Sequence, residues 1–153
     1  MSAQLNELPR YRRMTAGDLD AVLAIENRVY PHPWTRGNFN DSLAAGYHCL
    51  IMEVGGTIVG YSVVMIGAGE AHLLNLSIAD DWQRRGLGRD LLDYVSNLAR
   101  AEAAERMLLE VRESNAAAQE LYKDSGFSRI ALRREYYPAH HGREDAVVME
   151  RIL

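Results

Sequence analysis

Leu74-Asn75-Leu76-Ser77-Ile78-Ala79-Asp80-Asp81-Trp82-Gln83-Arg84-Arg85-Gly86-Leu87-Gly88-Arg89 is the stretch around which the chain is organised. Leu74, Leu76 and Ile78 recur at period two, as one face of a strand requires. Leu87, Leu91, Leu92, Val95, Leu98 and Ala99 then recur at helical spacing. Gly86 and Gly88 stand between the two patterns, where the missing Cβ atoms let a ligand approach backbone. The free N–H groups of a first helical turn, at the positive end of the helix dipole, form an anion site. Arg84, Arg85 and Arg89 add charge there, so a phosphate or pyrophosphate suits it. A tight turn with solvated arginines fits the same glycines. Two other phosphate motifs are absent: a dinucleotide fingerprint needs its third glycine where Leu91 stands, and no Gly-Lys-Ser/Thr follows.

A chain of 153 residues fits one domain, expected to run over 1–153. At that length it can bury about two-thirds of its unfolded surface. The single Cys49 excludes an internal disulfide, suits a reducing compartment, and reads as a buried thiol in an apolar run. Met1–Arg13 lacks the apolar core of a secretion signal, and no stretch nears the about 18 residues of a membrane span. A cytoplasmic protein without membrane attachment is expected. The net charge of -4 argues against a general nucleic-acid binder and is compatible with a basic or amine substrate.

Along the chain, Pro9–Met14 reads as a short strand and Thr15-Ala16-Gly17-Asp18 as a capping box. Leu19, Val22, Leu23, Ile25 and Val29 mark the apolar face of the helix it opens, which Pro31 and Pro33 end. Thr35 caps a second helix through Ala44. Trp34 lies in a loop expected to face solvent, with packing against a helix as the alternative. Strands at 48–54 and 57–66 are joined by Gly55-Gly56, a two-residue hairpin signal, and a third follows at 71–78. The helix after Gly88 leads to a strand at 107–111, a parallel neighbour of the strand before the glycines. A helix at 115–124, capped by Ser114 or Asn115, stops at Gly126-Phe127. Strands at 128–136 and 145–152 close the chain around a polar loop, 137–144. The order β-α-α-β-β-β-α-β-α-β-β defines an α/β (α+β) fold with a mixed sheet.

Several side chains could act as general acid or base. Glu110 ends the 107–111 strand beside apolar surface, which predicts a pKa raised toward neutrality; a solvated strand-end glutamate is the plainer alternative. Glu113 is a competitor set in a polar turn. Tyr122 offers a phenol as general acid, or packs in the helix core. His140-His141 fits no metal-ligand spacing, so no metal site is predicted, and His32, His48 and His72 suggest no dyad.

Gln83-Arg84-Arg85-Gly86-Leu87-Gly88 resembles the acyl-CoA signature of the GNAT superfamily of N-acetyltransferases. The run from Leu109 to Phe127, with Pro33-Trp34-Thr35, Leu74-Asn75-Leu76, 133–138 and 142–146, is similar to the RimI-type ribosomal-protein-alanine N-acetyltransferases from about Tyr11 onward. The resemblance implies a GNAT fold, with a mostly antiparallel sheet of about seven strands and four helices. It implies acetyl-CoA as co-substrate, with Glu110 as base and Tyr122 as acid. The backbone of Leu76, Ser77 and Ile78 would pair with the pantetheine arm. Arg84, Arg85, Gly86, Leu87, Gly88 and Arg89 would hold the pyrophosphate, and Asn115 would contact the cofactor beyond it. Trp34, Glu135, Tyr136 and Tyr137 are expected to wall the substrate slot. The implied partner is the N-terminus of a small-subunit ribosomal protein, with direct transfer in a ternary complex and no direct nucleic-acid contact. A monomer is compatible with this reading. Another protein N-terminus or a lysine side chain is the rival substrate. A non-catalytic acetyl-CoA-binding regulator is the rival class.

Overall fold

In a computed structural model, which describes residues 7–153, strands and helices follow the expected order. The strands are β1 (Arg10–Arg13), β2 (His48–Val54), β3 (Thr57–Gly67), β4 (Glu70–Ile78), β5 (Arg106–Arg112), β6 (Ser128–Pro138) and β7 (Arg143–Ile152). The α-helices are α1 (Leu19–Val29), α2 (Arg36–Ala44), α3 (Leu87–Ala101) and α4 (Ala116–Asp124). Hydrogen bonding orders the seven strands β1-β2-β3-β4-β5-β7-β6. The chain divides into two compact units, one running to Val64 and taking in Asn75–Leu91, the other comprising Met65–Leu74 and Leu92–Leu153.

In the first unit β1 pairs antiparallel with β2, and β2 with β3. The Gly55-Gly56 turn carries positive φ at both residues, which the two-residue hairpin demands. The Asp18 carboxylate accepts the Thr15 backbone N–H at 2.8 Å, and a short 3-10 turn then leads into α1. Thr35 caps α2 by accepting the Asn38 N–H. Phe39 and Tyr61 are fully buried, with ring centroids 5.8 Å apart.

The second unit is built on β5. The first half of β4 pairs with it in parallel, with His72 opposite Leu108, as expected of strands joined through a helix. Alternation along β5 buries Met107, Leu109 and Val111 and leaves Leu108 and Glu110 on the other face. Antiparallel β7 covers the far edge of β5, and β6 pairs with β7. Asn115 caps α4 by accepting the Ala118 N–H, and Gly126 (φ +93°) ends it. Phe127 folds back, its ring 5.6 Å from Tyr122 and its N–H on the Tyr122 carbonyl.

Two expectations are corrected. Leu74 is only half-buried, whereas Asn75 and Ser77 are buried with Leu76 and Ile78. A strand covered on both faces does not show a one-face period. The loop expected at 137–144 is also shorter. Tyr137 pairs with Glu144 and Pro138 with Arg143, leaving only residues 139–142 to turn. The Arg112 guanidinium holds this end by donating to the Pro138 carbonyl at 2.7 Å and to Glu144 at 3.0 Å.

Close approach of β3 to the end of β4 requires Gly60, because a Cβ there meets the Ser77 carbonyl oxygen at 2.8 Å and Ile78 Cδ1 at 2.7 Å. Overpacking a core typically costs about 1–3 kcal/mol. For a chain of this size each kcal/mol shifts Tm by about 2–4 °C. Gly60→Ala is therefore expected to lower Tm by several degrees in a calorimetric scan. An unchanged Tm means the strands separate without penalty.

Candidate active site

The glycine turn belongs to the first unit. After β4 the chain forms a short 3-10 turn, Asp80–Trp82, and Gln83 reaches back to donate its side-chain amide to the Ile78 carbonyl at 3.0 Å. Arg84 (φ +62°) and Gly86 (φ +82°) then swing the chain into α3. The first bond of α3 runs from the Asp90 N–H to the Gly86 carbonyl, so the amides ahead of it lie outside the helix ladder. Arg85 stacks over Trp82 at 4.8 Å and donates to the Asp81 carbonyl. Gln83, Arg84, Arg85, Gly86 and Arg89 are exposed, and Leu87 and Gly88 half-exposed. A helix N-terminus flanked by arginines is thus open to an anion.

A buried polar network lies under the strand that leads there. Glu26, on α1, is 2% exposed. Its Oε1 accepts the Tyr61 hydroxyl at 2.7 Å and the Asn75 side-chain amide at 3.1 Å, and its Oε2 accepts the Trp34 backbone N–H at 2.9 Å. Ser77 donates to Asn75 Oδ1 at 2.7 Å. The Tyr30 hydroxyl, 2.9 Å from Ser77 Oγ, donates to the Leu76 carbonyl at 3.0 Å. Burial is the main cause pushing the Tyr30 phenol up to about 12. The packing alternative describes Trp34: it is half-buried, its ring 5.2 Å from Phe39.

Glu110 anchors the second unit's cluster. Its side chain is 11% exposed and bonds through Oε2 to His72 Nε2 at 2.6 Å, with Arg133 Nε 3.4 Å from Oε1. The bond to His72 holds the carboxyl below the usual glutamate range, against the opposing effect of burial. This corrects two expectations: the pKa is not raised, and His72 is not isolated. The cause is register, since His72 lies opposite Leu108 and Glu110 follows two residues on, on the same face.

Tyr136 and Tyr137 meet edge to face at 4.9 Å, with Arg133 over Tyr136 at 5.6 Å and Arg112 over Tyr137 at 4.5 Å. The Tyr137 phenol is pushed up by burial first and by the Glu110 charge second. Arg133 pairs with Ala146 and Tyr137 with Glu144, so residues 134–136 bulge opposite Asp145 alone. Glu135 sits at φ +50° in this bulge, exposed, its N–H on Asp145 and its carbonyl on Arg143. Tyr122 is 8% exposed, packed on Phe127. Glu113 is exposed in the turn after β5, and the Asn115 side-chain Oδ1 is engaged in capping α4.

Sequence reasoning missed His72, Arg133, Glu26 and Tyr61. Glu26 left a signal, for it falls seven residues after Leu19 and four after Val22, a charge on the buried stripe of α1. His72 left none without the β4–β5 register.

The strand, the glycine turn and the arginine-flanked helix lie within the part of the chain that places it among the acyl-CoA-dependent transferases. Residues 19–127 match the Acetyltransferase (GNAT) family, and the chain belongs to it as an N-acetyltransferase; acetyl-CoA is the co-substrate of this family. The sequence is 36% identical to the [ribosomal protein bS18]-alanine N-acetyltransferase of Escherichia coli, over 86% of this chain and 89% of that one. It superposes on the crystal structure of the ribosomal-protein-S18-alanine N-acetyltransferase from Escherichia coli with a TM-score of 0.87 and 33% identity, covering 95% and 94% of the two chains. Ard1 from Thermoplasma volcanium superposes with a TM-score of 0.86 and 26% identity, covering 95% of this chain and 97% of that one. The GNAT fold and the RimI-type resemblance are borne out. Among the described residues no helix is long and apolar enough to cross a membrane.

A carboxylate with a lowered folded pKa stabilises the protein above its unfolded pKa, and that contribution is lost as pH falls through the folded value. His72→Ala should move the Glu110 carboxyl titration, followed by ¹³C NMR, upward and the acid-unfolding midpoint with it. A Glu110 midpoint unmoved by the substitution rules out His72 as the cause.

Proposed function

We propose that this chain, as one N-acetyltransferase domain, transfers the acetyl group of acetyl-CoA directly to the α-amine of the N-terminal alanine of ribosomal protein S18. One observation carries the reading: 36% identity over 86% of the chain to an enzyme of that activity. The exposed turn Gln83–Arg89 supports a pyrophosphate site at Arg84, Arg85, Gly86, Leu87, Gly88 and Arg89, built from helix-entrance amides and guanidinium groups. Leu76, Ser77 and Ile78 are assigned to the pantetheine arm, and the amide nitrogen of Asn115 to the cofactor beyond it.

The chemistry is a substitution at the thioester carbonyl. The amine nitrogen forms a bond to the carbonyl carbon, the carbon–sulfur bond breaks, and the amine proton must leave while the thiolate gains one. Glu110 takes the amine proton in this reading. Its lowered pKa keeps it ionised at neutral pH, so it is always able to accept. An α-amine titrates at about 7.7–8.0, so at neutral pH only about a tenth to a sixth of the substrate is neutral, and the attacking nitrogen becomes acidic as the new bond forms. The contacts of His72 and Arg133 hold the carboxylate in one orientation, which supports assigning it to orient the amine and receive that proton. Tyr122 is assigned the proton donated to the thiolate. Trp34 of the first unit and Glu135, Tyr136 and Tyr137 of the second are each assigned to substrate binding, and the Glu135 carboxylate suits a basic residue following the alanine. An acidic protein of net charge -4 attracts such a peptide. With Cys49 buried, no acyl-cysteine intermediate is invoked.

Mass spectrometry of peptides incubated with acetyl-CoA tests the substrate. A peptide beginning Ala-Arg should gain one acetyl group at its α-amine, and the same peptide blocked there but bearing a free lysine should gain none. Acetylation of the blocked peptide would instead favour lysine side chains. Glu110→Gln should lower kcat by about 10²–10⁴-fold, with acetyl-CoA affinity retained in calorimetry. Unaltered turnover removes Glu110 from the mechanism.

A further inference from the structure

We infer that Glu26 is the positioning residue for peptide recognition, clamping the segment that carries Trp34 through its buried carboxylate. The inference deepens the assignment of Trp34 to the substrate slot and rests on it. Three donors and no acceptor converge on Glu26, as a carboxylate requires: the Tyr61 hydroxyl, the Asn75 side-chain amide and the Trp34 N–H. The Asn75 orientation is itself determined, since Ser77 donates to its oxygen and leaves its NH₂ for Glu26. Hydrogen bonds therefore run from Trp34 through Glu26 and Asn75 to Ser77, and the Tyr30 hydroxyl, 2.9 Å from Ser77 Oγ, rests on the Leu76 carbonyl.

The segment needs such a clamp. Between the last residue of α1, Val29, and the first of α2, Arg36, Pro31 and Pro33 contribute no backbone donor. Glu26 supplies the tie with one oxygen, and Thr35 next door fixes the start of α2. The Trp34 ring is thereby pinned against Phe39 at its backbone as well as by packing. Burying a carboxylate is expensive unless every lone pair facing protein is used. Apolar packing of α1 alone would be met by Leu or Met at position 26, so the carboxylate is explained by the segment it holds.

Glu26→Met keeps the volume and removes both acceptors. It should raise the peptide KM at least tenfold while leaving kcat and the acetyl-CoA KM within about threefold. Glu26→Gln retains an oxygen for the Trp34 N–H and should raise the peptide KM only a few-fold. Tyr61→Phe removes another donor from the same carboxylate without freeing Trp34, so it should lower Tm yet leave the peptide KM within about twofold. Should Glu26→Met fail to fold, Glu26→Gln against Tyr61→Phe makes the same comparison. Equal changes in peptide KM for the Glu26 and Tyr61 variants, or none for either, overturn the inference. A second readout is independent of substrate: in a Trp82→Phe background, Trp34 is the remaining tryptophan of two. Its emission should shift to the red and its quenching by acrylamide increase on Glu26→Met. An unshifted emission in a folded variant also overturns the clamp. If no N-terminal peptide is acetylated by the unsubstituted protein, the substrate reading fails, while the fluorescence response still decides the clamp.

Discussion

The parallel pairing of β4 with β5 is the constraint on which the Glu110 cluster depends. Two parallel strands joined through a helix put His72 opposite Leu108, and the two-residue period of β5 then brings Glu110 to the face that His72 occupies. A register one residue away would turn Glu110 to the buried face and carry Met107, Leu109 and Val111 out of it. The charge distribution follows from the pairing: a carboxylate with imidazole on one oxygen and guanidinium beside the other stays ionised, although little of it is exposed to water.

Under the proposed role of Glu110 as base, that ionisation bears on how the transfer runs. A glutamate raised to neutral pH by burial is the stronger base but is partly protonated at working pH. A lowered one is always available and depends on the substrate to become acidic as the bond to carbon forms. The arrangement around Glu110 is of the second kind, and it suits the proposed α-amine substrate, whose own pKa lies well below that of a lysine.

Polar burial also organises the first unit. Asn75 and Ser77 occupy positions on β4 that a half-exposed strand would give to solvent, and Glu26 interrupts an apolar helix face. Each is costly alone and satisfied in combination. Such a network specifies one arrangement of α1, β3 and the end of β4, because a shift of any member strands a buried donor. Gly60 acts in the same place from the other direction, allowing a backbone approach that any side chain would block.

Much of the fold was legible in the order of residues. The glycine turn, the Thr35 and Asn115 caps, the Gly126 stop and the Gly55-Gly56 hairpin are local signals whose geometry is set by a few consecutive residues. The nature of Glu110 as a strand-end carboxylate and the acyl-CoA signature were readable for the same reason. The partners of Glu110, the depth of Glu26 and the bulge at 134–136 were not. Each depends on which residue of a distant strand or helix comes to lie opposite, with 38 residues separating Glu110 from His72 and 35 separating Glu26 from Tyr61. The sequence by itself determined the elements, their order and the family. Tertiary structure alone decided register and burial, and with them the charge state of Glu110, because a pKa answers to neighbours in space and not to neighbours along the chain.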